Sequence, residues 1–255
     1  MQMQTDVNTA SDGGVRYFDS GLSHDVQFSV CSLVARQGNY DRLLASFRAF
    51  GFTPENSEFL AADNRQANVF DGYTWMRRLF PECRGEYIIF CHDDVELIDD
   101  GFDDLVARLD DLTEQDPDWV LAGNAGGLYR KGPPFRRRHL VISISDADGD
   151  RRRGDLPARV ETLDENFIVL RRSRYIAGSF DLAGFHMYAP DLCMIAEILG
   201  GRAYVIDFHL RHHGLGKKGA DFKESHLRFR QKYSQYFPGR TVRATTGLVA
   251  LGGGV

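Results

Sequence analysis

The chain has 255 residues, of which 43% are hydrophobic, and its formal net charge is −5. This length and composition suffice to bury a substantial core, as one large α/β domain or two smaller domains. The negative charge gives no electrostatic reason to expect nucleic acid as a partner. No run of eighteen apolar residues is present, so we predict no transmembrane segment.

The N-terminal segment and the cysteines indicate the cellular setting. Residues 1–24 are polar and lack the basic and apolar regions of a signal peptide, so we predict a flexible segment there. Cys31, Cys83, Cys91 and Cys193 lack the spacing of metal ligands, which favours buried thiols in a reducing cytoplasm over disulfides.

The first half of the chain alternates strand-like and helix-like segments. Apolar runs predict strands, and amphipathic segments of helical period predict helices. In chain order, we predict a strand at 26–35, a helix at 39–50, a strand at 58–62, a helix at 68–80, a strand at 87–91, a helix at 101–112 and a strand at 119–123. This alternation favours a parallel, doubly wound sheet.

The second half is less regular. We predict strands at 140–144, 161–171 and 202–208, and a helix at 191–200. The Asp/Gly cluster at 146–150 predicts a hairpin turn. Arginine triplets at 136–138 and 151–153 are interpreted as a solvated face, with binding of phosphates, a membrane surface or a polyanion as alternatives. No repeat or linker divides the chain, which predicts one domain at 25–240 and a C-terminal tail at 241–255.

The stretch EYIIFCHDDVE at 86–96 carries the most chemical information. Its apolar part is typical of a strand buried on both faces, and the strand ends in His92, Asp93 and Asp94. Open α/β sheets bind ligands at this end of their strands. Adjacent carboxylates are costly to desolvate without a cation, and oxygen ligands favour Mg²⁺ or Mn²⁺ with a phosphate-bearing partner. A solvated strand end with a capping aspartate is the alternative.

The order of these segments resembles that of inverting nucleotide-sugar glycosyltransferases of the GT-A fold, similar to family 2. The resemblance covers about residues 26–237 and is carried by Asp63-Asn64 after the second strand, by RGEYIIFCHDDVEL and by SFDLAGFHMYAPDLCMIAEILGGRAYVIDFHLRHHG. It implies an α/β fold with a Rossmann-like, mostly parallel sheet flanked by helices. An additional C-terminal portion would complete the acceptor side.

The resemblance implies a nucleotide site at the ends of the first two strands. It assigns Val34, Ala35, Asp63 and Asn64 to this site, with Asp63 as the base or ribose contact. An Asx turn that ends the strand is compatible with that role. The glycine-rich segment at 123–127 is interpreted either as a loop or as a close backbone approach to the donor sugar.

The resemblance also places His92-Asp93-Asp94 where a DxD-type motif belongs. It implies that Asp94 binds Mn²⁺ or Mg²⁺ and that Asp93 hydrogen-bonds the ribose or the sugar, and it leaves His92 unassigned. His212, which precedes Gly214 after an apolar strand, is the second expected metal ligand.

The acidic motif of the family departs from its pattern here. Family 2 enzymes resemble Glu-Asp-x-Asp-Leu, whereas this chain has Tyr-Ala-Pro-Asp-Leu at 188–192, with Ala189 at the usual base position. Asp191 keeps the later carboxylate and is the first candidate base, although a first-turn acidic residue also stabilises a helix dipole. His186 is the second candidate, because its ordinary pKa suits proton abstraction near neutrality.

The resemblance therefore implies a cytoplasmic, metal-dependent transferase that moves a sugar from a nucleoside-diphosphate sugar to a glycan or other hydroxyl acceptor. Peripheral association with the inner face of the membrane and formation of a homo-oligomer stay open. The alternative is a non-catalytic nucleotide-sugar or glycan-binding module on the same fold, which Ala189 would suit. Nucleotidyl transfer is less favoured, because VARQGN at 34–39 holds a single glycine after the first strand.

Overall fold

The computed structural model describes residues 24–129, 138–214 and 219–252. Its strands are β1 (Val26–Val34), β2 (Ser57–Asp63), β3 (Gly85–His92), β4 (Val95–Leu97), β5 (Trp119–Gly123), β6 (Ala125–Tyr129), β7 (Arg138–Asp146), β8 (Gly149–Arg153), β9 (Ala158–Val160), β10 (Thr162–Leu163), β11 (Phe167–Arg171), β12 (Arg202–Val205), β13 (Leu210–His212), β14 (Arg240–Ala244) and β15 (Gly247–Leu251). Its α-helices are α1 (Gln37–Ala49), α2 (Thr74–Leu79), α3 (Phe102–Gln115), α4 (Tyr188–Ile198) and α5 (Ala220–Tyr233). The segment predicted to be flexible, 1–24, lies outside the described residues except for its last residue.

A seven-stranded sheet in the order β2-β1-β3-β11-β5-β12-β9 forms the centre of the molecule. β1 pairs in parallel with β2 and β3, and β12 pairs in parallel with β5. β11 and β9 run in the opposite direction. The sheet is therefore mostly parallel, which confirms the predicted α/β class.

Helices cover both faces of this sheet, and each face has its own apolar core. On one face, α1 and α3 bury side chains such as Phe47 and Leu109 against Phe28 of β1. On the other face, α2, α4 and α5 bury side chains such as Trp75 and Phe229. Each fully buried large side chain contributes about 1.5 to 3 kcal/mol of transfer free energy. Burial on both faces explains why β1 and β3 are apolar along their whole length.

A second sheet in the order β10-β6-β7-β13-β4 packs beside the first, and β8 pairs antiparallel with β7. The glycine-rich segment at 123–127 runs into β6 of this sheet, and its glycines serve strand packing. A Cβ at Gly126 would lie 2.6 Å from the carbonyl oxygen of Thr162, and a Cβ at Gly127 would collide with the backbone of Arg243. The interpretation of this segment as a loop is therefore wrong.

The C-terminal end of the chain differs from the predicted tail. β14 and β15 form an antiparallel hairpin. Its side chains Val242 and Leu251 are fully buried in the same core as α4 and α5. The alternation of apolar and polar residues from 240 to 251 is a strand signal that the division at residue 240 overlooks.

The helix predicted at 68–80 is shorter in the structure, where α2 begins at Thr74. The side chain of Asn64 accepts the backbone N–H groups of Val69 and Phe70, and Asp71 accepts those of Tyr73 and Thr74. These local bonds satisfy backbone donors outside a helix and hold the segment before α2 as a loop.

Candidate metal and nucleotide site

The carboxyl ends of β1, β2 and β3 meet at one edge of the central sheet. Val34 stands opposite Asp63 in the register of β1 with β2, and Leu33 stands opposite His92 in the register of β1 with β3. The predicted nucleotide residues and the HDD triplet therefore share this edge, as expected for the ligand-binding end of an open α/β sheet.

Asp93 joins two of these strand ends. Its Oδ2 accepts the backbone N–H groups of Ala35 and Arg36, each at 2.8 Å. Charge-assisted bonds of this kind are among the strong hydrogen bonds of proteins. Asp93 thus fixes the loop that follows β1 against the end of β3, and this bonding occupies one of its carboxylate oxygens.

Asp63 and Asn64 differ in their surroundings. The Asp63 carboxylate is half exposed and receives a forked interaction from Arg65, at 2.9 Å to each oxygen. Hydrogen bonds from Arg65 lower the pKa of Asp63, so it is an anion at neutral pH. Asn64 is buried, and its side chain is used by the loop before α2. Asp63 is therefore the more accessible of the two predicted nucleotide contacts.

Three side chains converge directly beyond the end of β3. His92 Nδ1 lies 3.1 Å from His212 Nε2, and His212 Nε2 lies 3.2 Å from Asp94 Oδ1. The third separation, from His92 Nδ1 to Asp94 Oδ1, is 3.9 Å. Among the described residues, this is the group of histidine, cysteine and acidic side chains close enough together to hold a metal ion.

Strand pairing in the second sheet brings His212 to Asp94 across 118 residues of sequence. β13 pairs antiparallel with β4, which places His212 opposite Val95, next to Asp94 in the chain. The backbone N–H of His213 donates to the carbonyl oxygen of Asp94 at 3.0 Å. The position of the second predicted metal ligand thus follows from a pairing between the two halves of the chain.

The cluster fits a divalent cation on three observations. Asp94 Oδ1 is buried, and its neighbour at 3.2 Å is His212 Nε2, another potential ligand atom, with no well-aligned hydrogen-bond donor beside it in the described part of the chain. A Cβ at Gly214 would lie 2.8 Å from Asp94 Oδ2 and 2.9 Å from His212 Nε2, so a side chain at this position would displace the ligand atoms. Neighbouring ligands about 2.1 Å from an octahedral cation lie about 3 Å apart, which matches two of the three separations.

Tyr188 sets the orientation of the His92 ring. Its hydroxyl lies 2.7 Å from His92 Nε2 and donates to the carbonyl oxygen of Glu165 at 3.2 Å. A hydroxyl that donates to a carbonyl accepts from the imidazole, so Nε2 carries the proton and Nδ1 presents its lone pair to the cluster. Partners that fix the tautomer in this way are typical of metal-ligating histidines.

The charges in the cluster favour a cation binder. Burial lowers the pKa of His92, and the neighbouring His212 lowers it further, so His92 is neutral. Burial alone would raise the pKa of Asp94, but the His212 and His92 imidazoles outweigh burial and lower it, so Asp94 is ionised. Burial would lower the pKa of His212, but the Asp94 carboxylate outweighs burial and raises that pKa. Metal binding at this cluster would therefore release the His212 proton, because an imidazole binds metal in its neutral form.

A cavity of about 400 Å³ opens beside the cluster. Its lining includes His92 and His212 of the cluster together with Glu165, His186 and Phe222. A larger cavity of about 630 Å³ lies beside β9 and β12, but none of the predicted site residues borders it. The smaller cavity is therefore the candidate ligand-binding site.

Asp191, the first candidate base, does not border this cavity. It is fully buried in the first turn of α4. Its carboxylate accepts the backbone N–H of Ser179 at 2.8 Å, the hydroxyl of Ser179 at 2.6 Å and the hydroxyl of Tyr233. Burial raises the pKa of Asp191. These contacts make Asp191 an anchor that ties the 175–187 loop and α5 to α4.

His186, the second candidate base, does border the cavity. Its Nδ1 lies 3.8 Å from Glu165 Oε2, and its Nε2 lies 3.6 Å from Asp221 Oδ2. The carboxylate of Glu165, together with that of Asp221, raises the pKa of His186, although burial opposes the rise. His186 is thus an imidazole between two acids.

Sequence reasoning left His92 unassigned and did not consider Glu165. The position of Glu165 follows from strand pairing, because β11 begins where β3 ends and Asn166 accepts the N–H of His92 through its carbonyl oxygen. The signal in the sequence is weak, since an acidic residue in a loop before a strand is common.

No family model matches the chain. The protein of Fuscovulum blasticum described as "ATP synthase subunits region ORF 6" is 52% identical over 232 residues, which cover 90% of this chain and 92% of that protein. The chain belongs to the same family as this protein. The description gives a genomic position and names no activity.

Solved structures show the fold. S. aureus TarS in complex with UDP-GlcNAc has a TM-score of 0.53 and 11% identity, over 81% of this chain and 65% of that chain. The mannosyltransferase PcManGT from Pyrobaculum calidifontis, in complex with GDP-Man and Mn²⁺, has a TM-score of 0.50 and 10% identity, over 87% and 66%. The predicted GT-A fold is confirmed, and the chain spans just under two thirds of each of these solved chains.

In the described part of the chain, none of the helices is long and apolar enough to cross a membrane.

Proposed function

We propose that this protein is a metal-dependent glycosyltransferase, inverting and similar to family 2, that moves a sugar from a nucleoside-diphosphate sugar to a glycan or other hydroxyl acceptor. The observation that carries the proposal is the His92–Asp94–His212 cluster, which lies at the ligand-binding edge of the sheet and opens onto a cavity. TarS with UDP-GlcNAc and PcManGT with GDP-Man and Mn²⁺ support the substrate class through the shared fold.

In this proposal, His92, Asp94 and His212 hold the cation. Two imidazoles beside one carboxylate favour Mn²⁺ over Mg²⁺, which prefers oxygen ligands. With a divalent cation bound, these residues would supply the positive charge that neutralises a diphosphate leaving group. We assign His92 to the ligand set in addition to the two ligands expected from the sequence, because its Nδ1 faces the other two ligand atoms.

The nucleotide would lie along the ends of β1 and β2. The backbone of Val34 and Ala35 borders that edge beside Asp93, and Asp63 presents an ionised carboxylate to a base or ribose. Asn64 supports this edge through the loop that it holds.

We also propose a cytoplasmic location, which is supported by four buried cysteines that form no disulfide.

Thermal unfolding with nucleoside diphosphates tests the proposal. We expect UDP or GDP to stabilise the protein with Mn²⁺, by about 2.7 kcal/mol at a hundredfold excess over Kd, and much less without it. Asp94→Asn removes a charged ligand and should abolish the Mn²⁺-dependent stabilisation. The control variant Asp110→Asn, on the exposed face of α3, should retain that stabilisation. Equal Mn²⁺-dependent stabilisation in both variants would contradict the proposed metal site.

A non-catalytic binding module is the second candidate function. Ala189 in place of the family carboxylate and the burial of Asp191 favour it. The two functions separate in one measurement, the release of UDP or GDP from UDP-GlcNAc and GDP-mannose in the presence of Mn²⁺. A transferase moves the sugar to an acceptor or to water and releases nucleoside diphosphate. A binding module leaves the donor intact.

A further inference from the structure

Glu165 occupies the place where the family motif would bring a carboxylate. Its Oε1 accepts the backbone N–H of Tyr188, the first residue of α4, at 3.1 Å. The start of α4 is where the acidic motif belongs, and there the chain itself has Tyr188 and Ala189. The 164–166 loop thus brings a carboxylate from another segment to the same helix end, where the helix dipole favours an anion.

Glu165 borders the cavity, and its second oxygen is not used by the bond to Tyr188. The Glu165 side chain is 18% exposed, and its Oε2 lies 3.8 Å from His186 Nδ1, which is beyond hydrogen-bond distance. The cavity that Glu165 borders also contains His92 and His212. A hydroxyl in this cavity can therefore reach Glu165 Oε2 from the space that it shares with the proposed cation ligands.

His186 is better suited to hold Glu165 than to take a proton. An imidazole between two carboxylates is stabilised in its protonated form, which has no free lone pair. The raised pKa of His186 agrees with this protonation state. Burial raises the pKa of Glu165, and His186 opposes part of that rise. A general base needs both a carboxylate free to accept a proton and a pKa nearer to neutrality.

We infer that Glu165 is the general base that replaces the missing carboxylate at position 189, and that His186 is its positioning residue. Glu165 Oε2 takes the proton of the acceptor hydroxyl while the hydroxyl oxygen forms a bond to the anomeric carbon of the donor. The bond from that carbon to the diphosphate oxygen breaks, and its electron pair leaves with the nucleoside diphosphate. This inference rests on the proposed function.

The test compares Glu165→Gln with Glu82→Gln, which removes a surface acid paired with Arg78. The assay contains Mn²⁺ and UDP-GlcNAc or GDP-mannose, with water as the acceptor. We expect Glu165→Gln to slow hydrolysis of the donor, measured as nucleoside diphosphate release, by about 100-fold or more, the usual scale for loss of a general base. Donor Kd and melting temperature should stay near those of Glu82→Gln. Glu165→Ala provides a second variant in case the amide disturbs the start of α4.

Azide separates a base from a structural group. As an anion, azide attacks the anomeric carbon without proton removal, so we expect azide to restore nucleoside diphosphate release in Glu165→Gln and Glu165→Ala. If both variants hydrolyse the donor as fast as Glu82→Gln, the inference is overturned and the proposed function stands. A wild-type protein that binds donor and never releases nucleoside diphosphate overturns both.

Discussion

The His92–Asp94–His212 cluster, proposed as the metal edge of the cavity, and the part with Glu165 and His186, proposed as its acceptor side, are built in different ways. At the metal edge, His92 and Asp94 come from one strand end, and His212 comes from the neighbouring pair of strands. On the acceptor side, Glu165 lies in the loop before β11 and His186 in the loop before α4. Cation ligands must keep fixed separations, which strands provide, whereas a base needs to reach a single atom and can come from any segment that borders the cavity.

Among the three variants considered next, we expect removal of His92 to have the largest effect on binding. We expect His92→Ala to weaken Mn²⁺ binding in the presence of pyrophosphate by about 10- to 100-fold, measured by titration calorimetry, because loss of even supporting groups has that effect at metal sites. His213→Ala is the matched control, since His213 follows His212 in the chain and its ring bonds Glu96 outside the cluster. Equal affinities in the two variants would remove His92 from the ligand set.

A smaller effect is expected at the nucleotide end of the same edge. Asp63→Ala should weaken UDP or GDP binding by about tenfold, since a hydrogen bond to a charged group contributes about 1.5 to 3 kcal/mol and Arg65 already occupies part of this carboxylate. The affinity for Mn²⁺ in the presence of pyrophosphate should be unchanged, because pyrophosphate lacks a base and a ribose. Unaltered nucleotide affinity would show that the alignment of β2 with the family is out of register.

The smallest effect on turnover is expected at Asp191, where the loss should appear in stability. Asp191 accepts the hydroxyls of Ser179 and Tyr233 on one carboxylate oxygen and the backbone N–H of Ser179 on the other. Asn has a single accepting oxygen and turns its NH2 group toward one of these donors, so we expect Asp191→Asn to cost about 2 kcal/mol of unfolding free energy. Thermal denaturation should show a melting temperature lower by about 4 to 8 °C.

Nucleoside diphosphate release per folded molecule should remain near wild type in Asp191→Asn. A loss of about 100-fold or more at unchanged stability would return the role of base to Asp191, as the sequence alone predicts. That result, together with full activity in Glu165→Gln, would reverse the assignment of the two carboxylates.

The sequence by itself determined the sheet class and predicted which residues lie at the metal edge. Continuous apolar runs identify strands that are buried on both faces, and the polar residues that end them must lie at a single edge of a parallel sheet. Asp93 and Asp94 could therefore be placed from a local pattern, and Asp63 from the same rule applied to the second strand.

Only the tertiary structure decided the acceptor side. Asp191 and Glu165 are both acidic residues next to apolar segments, and their local sequences do not tell which is buried. The antiparallel insertion of β11 beside β3 brings Glu165 to the cavity, while Ser179 and Tyr233, distant in sequence, enclose Asp191. Burial and hydrogen bonding depend on contacts between segments far apart in the chain, and local periodicity carries no information about those contacts.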